Sequence, residues 1–104
     1  MKHDVKKLAE IIVKDFDIGK KPVHLDSDEE KAYQELKEHL ADRIAQMIDH
    51  SFDKLVNILY RIDVAEERFK DVLRDYEPPE VPEKLAELII ERHLQKLKWR
   101  KKFQ

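Results

Sequence analysis

The 104-residue chain contains no cysteine, a single glycine and four prolines. Without thiols it has no disulfide framework, no cysteine nucleophile and no cysteine-based zinc site. A reducing cytoplasm suits such a chain. One glycine, where average composition would give about 7%, argues against sandwiches, barrels and glycine-rich phosphate loops. Uninterrupted apolar runs reach only three residues, as at Ile11-Ile12-Val13 and Leu88-Ile89-Ile90, whereas a membrane-spanning helix takes about 20. Met1-Lys2-His3-Asp4 leads into no apolar signal region. The expectation is a soluble cytoplasmic protein.

What is abundant is charge: 42% of the residues, beside 41% hydrophobic ones. Both signs nearly balance and the apolar residues are periodic, which separates this composition from that of a disordered chain. The formal net charge of −2 conceals a division. Residues 1–91 carry 15 Lys/Arg and 23 Asp/Glu, a net of −8, while residues 92–104 carry six cations and no acid. An acidic body bears a basic tail.

The apolar spacing predicts five helices. Over 4–17, Val5, Leu8, Ile11, Ile12 and Phe16 line one face, with Asp4 as cap, Gly19 as the closing residue and a loop over 18–26 containing Pro22. Over 28–49 the stripe is Tyr33, Leu36, Leu40, Ile44, Met47 and Ile48, with Asp26 or Ser27 as cap and a Ser27–Glu30 capping box. Asp49-His50-Ser51 marks a break, although nothing there forbids a continuous helix. From 52 to 62 apolar residues wrap more than half the circumference, which points to the central element of the core. Asp63, with Glu66 three residues on, reads as the cap of a helix over 64–76. The proline-rich segment 77–82 then acts as a stiff linker, with Pro82 in the first turn of a helix over 82–101. The fold class is all-α: one antiparallel helical bundle, its core centred on Leu36, Leu40, Ile44, Phe52, Leu55, Leu59, Phe69, Leu73, Leu85, Leu88 and Ile89.

Catalytic constellations are absent. The residues three before His39, His50 and His93 are Leu36, Met47 and Ile90, so the Glu-x-x-His pairs of di-iron bundles do not occur, and neither does the His-Glu-x-x-His zinc motif. Asp49, His50, Ser51 and Asp53 are neighbours on one helix boundary and cannot supply triad geometry. No cofactor or metal is expected. Arg61 interrupts an apolar stretch; it could offer an anion-binding fork, but the excess of carboxylates favours pairing with an acid on a neighbouring helix. Residues 51–76 have helix-turn-helix spacing, but the second helix would carry a net charge of −1 where phosphate contact needs a positive surface.

The basic tail carries the functional candidates: Arg92, Lys96, Lys98, Trp99, Arg100, Lys101 and Lys102, followed by Phe103. Three roles compete. Cations in a last turn favour the negative end of a helix. The tail could also dock on the acidic surface of its own body or of a second copy. Or it could bind anionic partners, either nucleic acid with Trp99 stacked on a base or an anionic membrane surface.

Leu-Val-Asn-Ile-Leu-Tyr-Arg-Ile-Asp-Val at 55–64 and Ala-Glu-Leu-Ile-Ile-Glu-Arg-His-Leu-Gln-Lys at 86–96 resemble parts of a family of small bacterial all-helical proteins with no assigned activity. The resemblance spans most of 28–103, implies a cytoplasmic bacterial setting and carries over no site residue. The function expected is that of a non-enzymatic, self-associating interaction domain, with nucleic-acid or other anion binding through the tail as the alternative.

Overall fold

The computed structural model describes residues 2–18 and 29–102. These form five helices: α1 (Lys2–Phe16), α2 (Glu29–His50), α3 (Phe52–Arg61), α4 (Glu66–Asp75) and α5 (Val81–Lys102), with a 3₁₀ turn at Pro78–Glu80. No strand occurs among the described residues. The chain folds as a single all-α bundle, as the periodicity predicts. The expected roles of Gly19, Pro22, Asp26, Ser27 and the Ser27–Glu30 box fall outside the described residues, as do the side chains of Asp4 and Val5.

The centre of the bundle is the antiparallel pair α2 and α5, not α3. Ala32, Leu36, Leu40, Ile44 and Met47 form a buried stripe along α2 at spacings of four, four, four and three. On α5 the buried residues are Val81, Leu85, Ile89, His93 and Leu97 in one row, with Ala86 and Ile90 in the next. Lys37 of α2 bridges Glu83 (3.4 Å) and Glu87 (3.6 Å) of α5. Tyr33, one turn earlier on α2, shares a groove with Glu91, Leu94 and Lys98 of α5, which sets the antiparallel sense. Burial works against the Lys37 ammonium, but Glu83 and Glu87 outweigh it and hold the group above its ordinary value.

Helix α3 is peripheral. It buries Leu55, Ile58 and Leu59 and leaves Phe52 43% and Tyr60 52% exposed. With ten residues it packs along one side only, so its surplus of apolar residues turns to solvent. The expected core position of Phe52 is therefore corrected. So is that of Leu73, which is 42% exposed, because α4 turns Phe69 and Val72 inward. Leu88 is half-buried against the core, and the other expected core residues are fully buried.

Helix ends show how a chain with so little glycine turns. α2 and α3 are separated by Ser51 alone, whose N–H bonds the Met47 carbonyl (2.8 Å) and whose carbonyl accepts from Lys54 and Leu55. Ser51 holds the cap position, but its side chain makes no capping hydrogen bond. Asp63 is not the cap of α4. Ala65 holds that place, and Asp63 instead closes α3 with a left-handed backbone at φ 64°. There its N–H bonds Tyr60 O (3.1 Å), the Val64 N–H bonds Leu59 O (3.0 Å), and the buried Val64 and Leu59 complete a Schellman closure. α1 ends the same way: Asp17 has φ 51°, and the Ile18 N–H reaches back to Val13 O (3.2 Å). Aspartate twice occupies the position usually given to glycine, a conformation its short polar side chain tolerates. Asp17, two residues before Gly19, thus makes the turn expected of that glycine.

After α4, Glu77 is held extended by the following proline, and Glu80 N–H bonds Glu77 O (2.8 Å). The 3₁₀ turn hands the chain directly to α5 with Pro82 in its first turn. Ile89→Ala should cost about 2–5 kcal/mol in urea denaturation, as a core truncation does. Leu73→Ala should cost under about 1 kcal/mol; equal costs would contradict the burial pattern.

Candidate functional site

The cations expected to act together are divided by the pitch of α5. Arg92 and Lys96, four residues apart, share one face, and that face meets the turn between α3 and α4. Arg92 Nη2 donates to Asp63 Oδ2 at 3.1 Å, and its Nη1 reaches Gln95 Oε1 at 3.4 Å. Lys96 Nζ donates to the backbone carbonyl of Ile62 at 2.7 Å. Ile62 is the C-cap of α3, so the ammonium meets the negative end of that helix. A cation of the tail thus serves a helix end, but of α3 and not of its own helix. One turn N-terminal, Arg68 of α4 pairs with Glu91 of α5 through two bonds of 3.2 and 3.3 Å. Together these links pin the α3–α4 hairpin to α5.

Lys98 points elsewhere, lining a shallow groove with Tyr33, Glu87, Glu91, Leu94 and Gln95. Trp99 is 66% exposed. Arg100, Lys101 and Lys102 belong to the helical backbone of α5, but their side chains, and the whole of Phe103, fall outside the described residues.

A second polar cluster lies on the neighbouring face of α5. A cleft of about 360 Å³ is lined by Ile11 and Asp15 of α1, Arg61 and Ile62 of the α3 end, and His93, Lys96 and Leu97 of α5. The Asp15 carboxylate stands 4.0 Å from Arg61 Nη2 and 3.9 Å from His93 Nε2. Arg61 therefore has the acidic neighbour on another helix that its position requires. The His93 side chain is only 7% exposed, and its Nε2 has no hydrogen-bond partner. Burial lowers the affinity of the ring for a proton; Asp15 opposes that, and Lys96 and Arg92 add to it. The net effect holds His93 below its ordinary value, so the ring is neutral at pH 7.

His93 and Asp15 were not among the residues singled out by spacing motifs, because neither sits in one. The signal that locates them is positional. His93 falls between Ile89 and Leu97 on a row of fours, and Asp15 lies beside Phe16 at the end of the apolar stripe of α1. The cleft at Arg61 includes neither His39 nor His50. No group of three or more His, Asp or Glu that could hold a metal occurs among the described residues, and none of their helices is long and apolar enough to cross a membrane. No protein-family model matches the chain, and no curated protein or solved structure is similar to it.

The division of the tail has a measurable consequence. Lys96→Met removes a charge-assisted bond to a helix end and should cost about 1–3 kcal/mol. Lys98→Met should change stability by no more than about 0.5 kcal/mol. Equal effects in chemical denaturation would contradict the assignment.

Proposed function

We propose that the chain is a non-enzymatic interaction domain whose partner is a second copy of itself. The observation that carries this reading is the apolar surface left on α3 and α4. Phe52, Val56 and Tyr60 recur every fourth residue along α3, with Phe52 and Tyr60 exposed and Val56 half-exposed. The Tyr60 ring meets Phe69 of α4 edge-on, centroids 6.1 Å apart, and Leu73 lies one turn beyond Phe69. Residues seven apart share a helix face, so Glu66, whose carboxylate is held below its ordinary value chiefly by Lys70 and further by the nearby Tyr60 hydroxyl, places Leu73 on the Tyr60 side. The stripe therefore crosses from one helix to the next.

Its rim supports a copy of the same chain as the occupant. Asp53 and Lys54 flank Phe52, Glu66 pairs with Lys70 at 3.0 Å, and Asp71 pairs with Arg74 at 2.8 Å. A patch bordered by both signs can face itself with little net repulsion, whereas a border of one sign would select an opposite partner. A two-fold contact is self-complementary by symmetry. A stable interface takes about 800 Å² from each copy, more than the apolar stripe alone, so this polar border must join it.

The alternative, nucleic-acid or other anion binding through the tail, has less to stand on. Two of its seven residues, Arg92 and Lys96, are engaged with Asp63 and Ile62, so Lys98, Trp99 and residues 100–102 would have to carry it. The bacterial, cytoplasmic setting implied by residues 55–64 and 86–96 belongs to the same proposal.

Sedimentation equilibrium at micromolar concentration should return a dimer for the natural chain. Tyr60→Glu and Leu73→Glu should each raise its dissociation constant by roughly tenfold or more with the helical circular dichroism intact. A natural chain that sediments as a clean monomer would remove the proposal.

A further inference from the structure

We infer that Asp15, Arg61 and His93 form an acid-sensitive latch. Proton uptake at His93 loosens α1 from α2 and α5, on which it packs, bares Leu8, Ile12 and Phe16, and leaves the α2–α5 pair assembled. The inference stands on the geometry of the cleft and is independent of self-association.

Every element around His93 bears on the outcome. α1 offers Asp15, the one carboxylate lining the cleft among the described residues; α3 offers Arg61, and α5 offers Lys96 there and Arg92 one residue before the ring. α2 faces the core through Leu36, Leu40 and Ile44. An imidazolium formed in this place would be a further cation beside a carboxylate that already faces Arg61. At 3.9 Å the Nε2 proton would also lack an acceptor within hydrogen-bond reach, and although the ring lines the cleft, its Nε2 atom presents almost no surface to water. Once α1 has moved away, the same imidazolium is hydrated. Protonation therefore favours the open arrangement. The lowered proton affinity of the ring, caused chiefly by its burial, agrees with this direction.

Beyond the latch, α1 is held by fewer ties than the α2–α5 pair. Its polar ties beyond the latch include Arg43 Nε on the Phe16 carbonyl at 2.8 Å. Its apolar contribution is Leu8, Ala9, Ile12 and Phe16. The α2–α5 pair has two full-length apolar stripes and the Lys37 bridges, so α1 is the element that one proton can shift.

The linkage has a definite sign. The open state binds the proton with the ordinary affinity near 6.5, and the closed state binds it more weakly. The opening equilibrium of α1 is therefore flat well above pH 6.5. It rises by up to tenfold per pH unit below that value, and levels off once the closed state is also protonated.

Amide hydrogen exchange of the full chain between pH 7.5 and 5, corrected for the intrinsic pH dependence of exchange, reads this opening directly. Protection of the α1 amides from Leu8 to Phe16 should fall with acid while the central amides of α2 and α5 keep theirs. In His93→Leu the α1 profile should be flat. Asp15→Asn removes the carboxylate that faces the ring, so its profile should keep falling to lower pH than in the natural chain. A flat natural profile, an equal loss in α2 and α5, or a His93→Leu profile that still falls would each overturn the latch. Should His93→Leu fail to fold, an Asp15→Asn profile identical to the natural one would overturn it as well.

Discussion

Burial of one face of α5 organises this molecule. Leu85, Ile89, His93 and Leu97, with Ala86 and Ile90 beside them, run the length of the helix at the spacing that keeps them on one side. α2 packs its own stripe of fours against this face, α1 meets it at His93 and Leu97, and α4 packs on a flank. The apolar area removed from water along this seam is the largest favourable contribution the fold can draw on. Two helices of 22 residues thus hold three shorter ones: α1 packs on both, α3 on α2 and α4 on α5. The two cations on the adjacent face then act locally. Arg92 and Lys96 tie down the turn at Ile62 and Asp63, where no buried side chain could do so without covering the helix end.

The scarcity of glycine shapes the connections. A left-handed closing residue normally calls for glycine, and both described helices that close this way use aspartate instead. At Asp63 the carboxylate also reaches Arg92, so the residue that permits the turn takes part in holding it against α5. The cost of the left-handed backbone is thereby met within the tertiary structure.

Much of this was legible in the sequence, and the limits have physical causes. Spacing alone located the five helices to within a few residues, because an amphipathic stripe must recur at 3.6 residues wherever a helix covers a core. Leu36, Leu40, Ile44 and Ile89 were core residues on that ground, and they are. Periodicity gives the direction of a face but not what lies opposite it. Phe52 and Leu73 thus looked as buried as Leu55 and Phe69, and α3 was read as central on its density of apolar residues when its shortness confines it to the edge. Asp63 could equally have opened α4 or closed α3, and only the path of the chain decides. The division of the basic tail was not legible either. The count of six cations in 92–104 says nothing about which of them face the α3–α4 turn, and the partnership of His93 with Asp15 joins residues 78 positions apart.

The functional consequence is a shift of attention from the tail to the body. Positive charge after Glu91 reads as a single binding element by sequence, yet its first two cations are fastened to the bundle, and α3 and α4 leave Phe52, Tyr60 and Leu73 exposed. The account depends throughout on α5 being the scaffold up to and through Lys96. Chemical denaturation of shortened chains tests that most directly. A chain ending at Lys98 should unfold in one cooperative transition near the natural midpoint, whereas a chain ending at Glu91 should show no cooperative transition. A chain ending at Glu91 that still unfolds cooperatively would contradict the account.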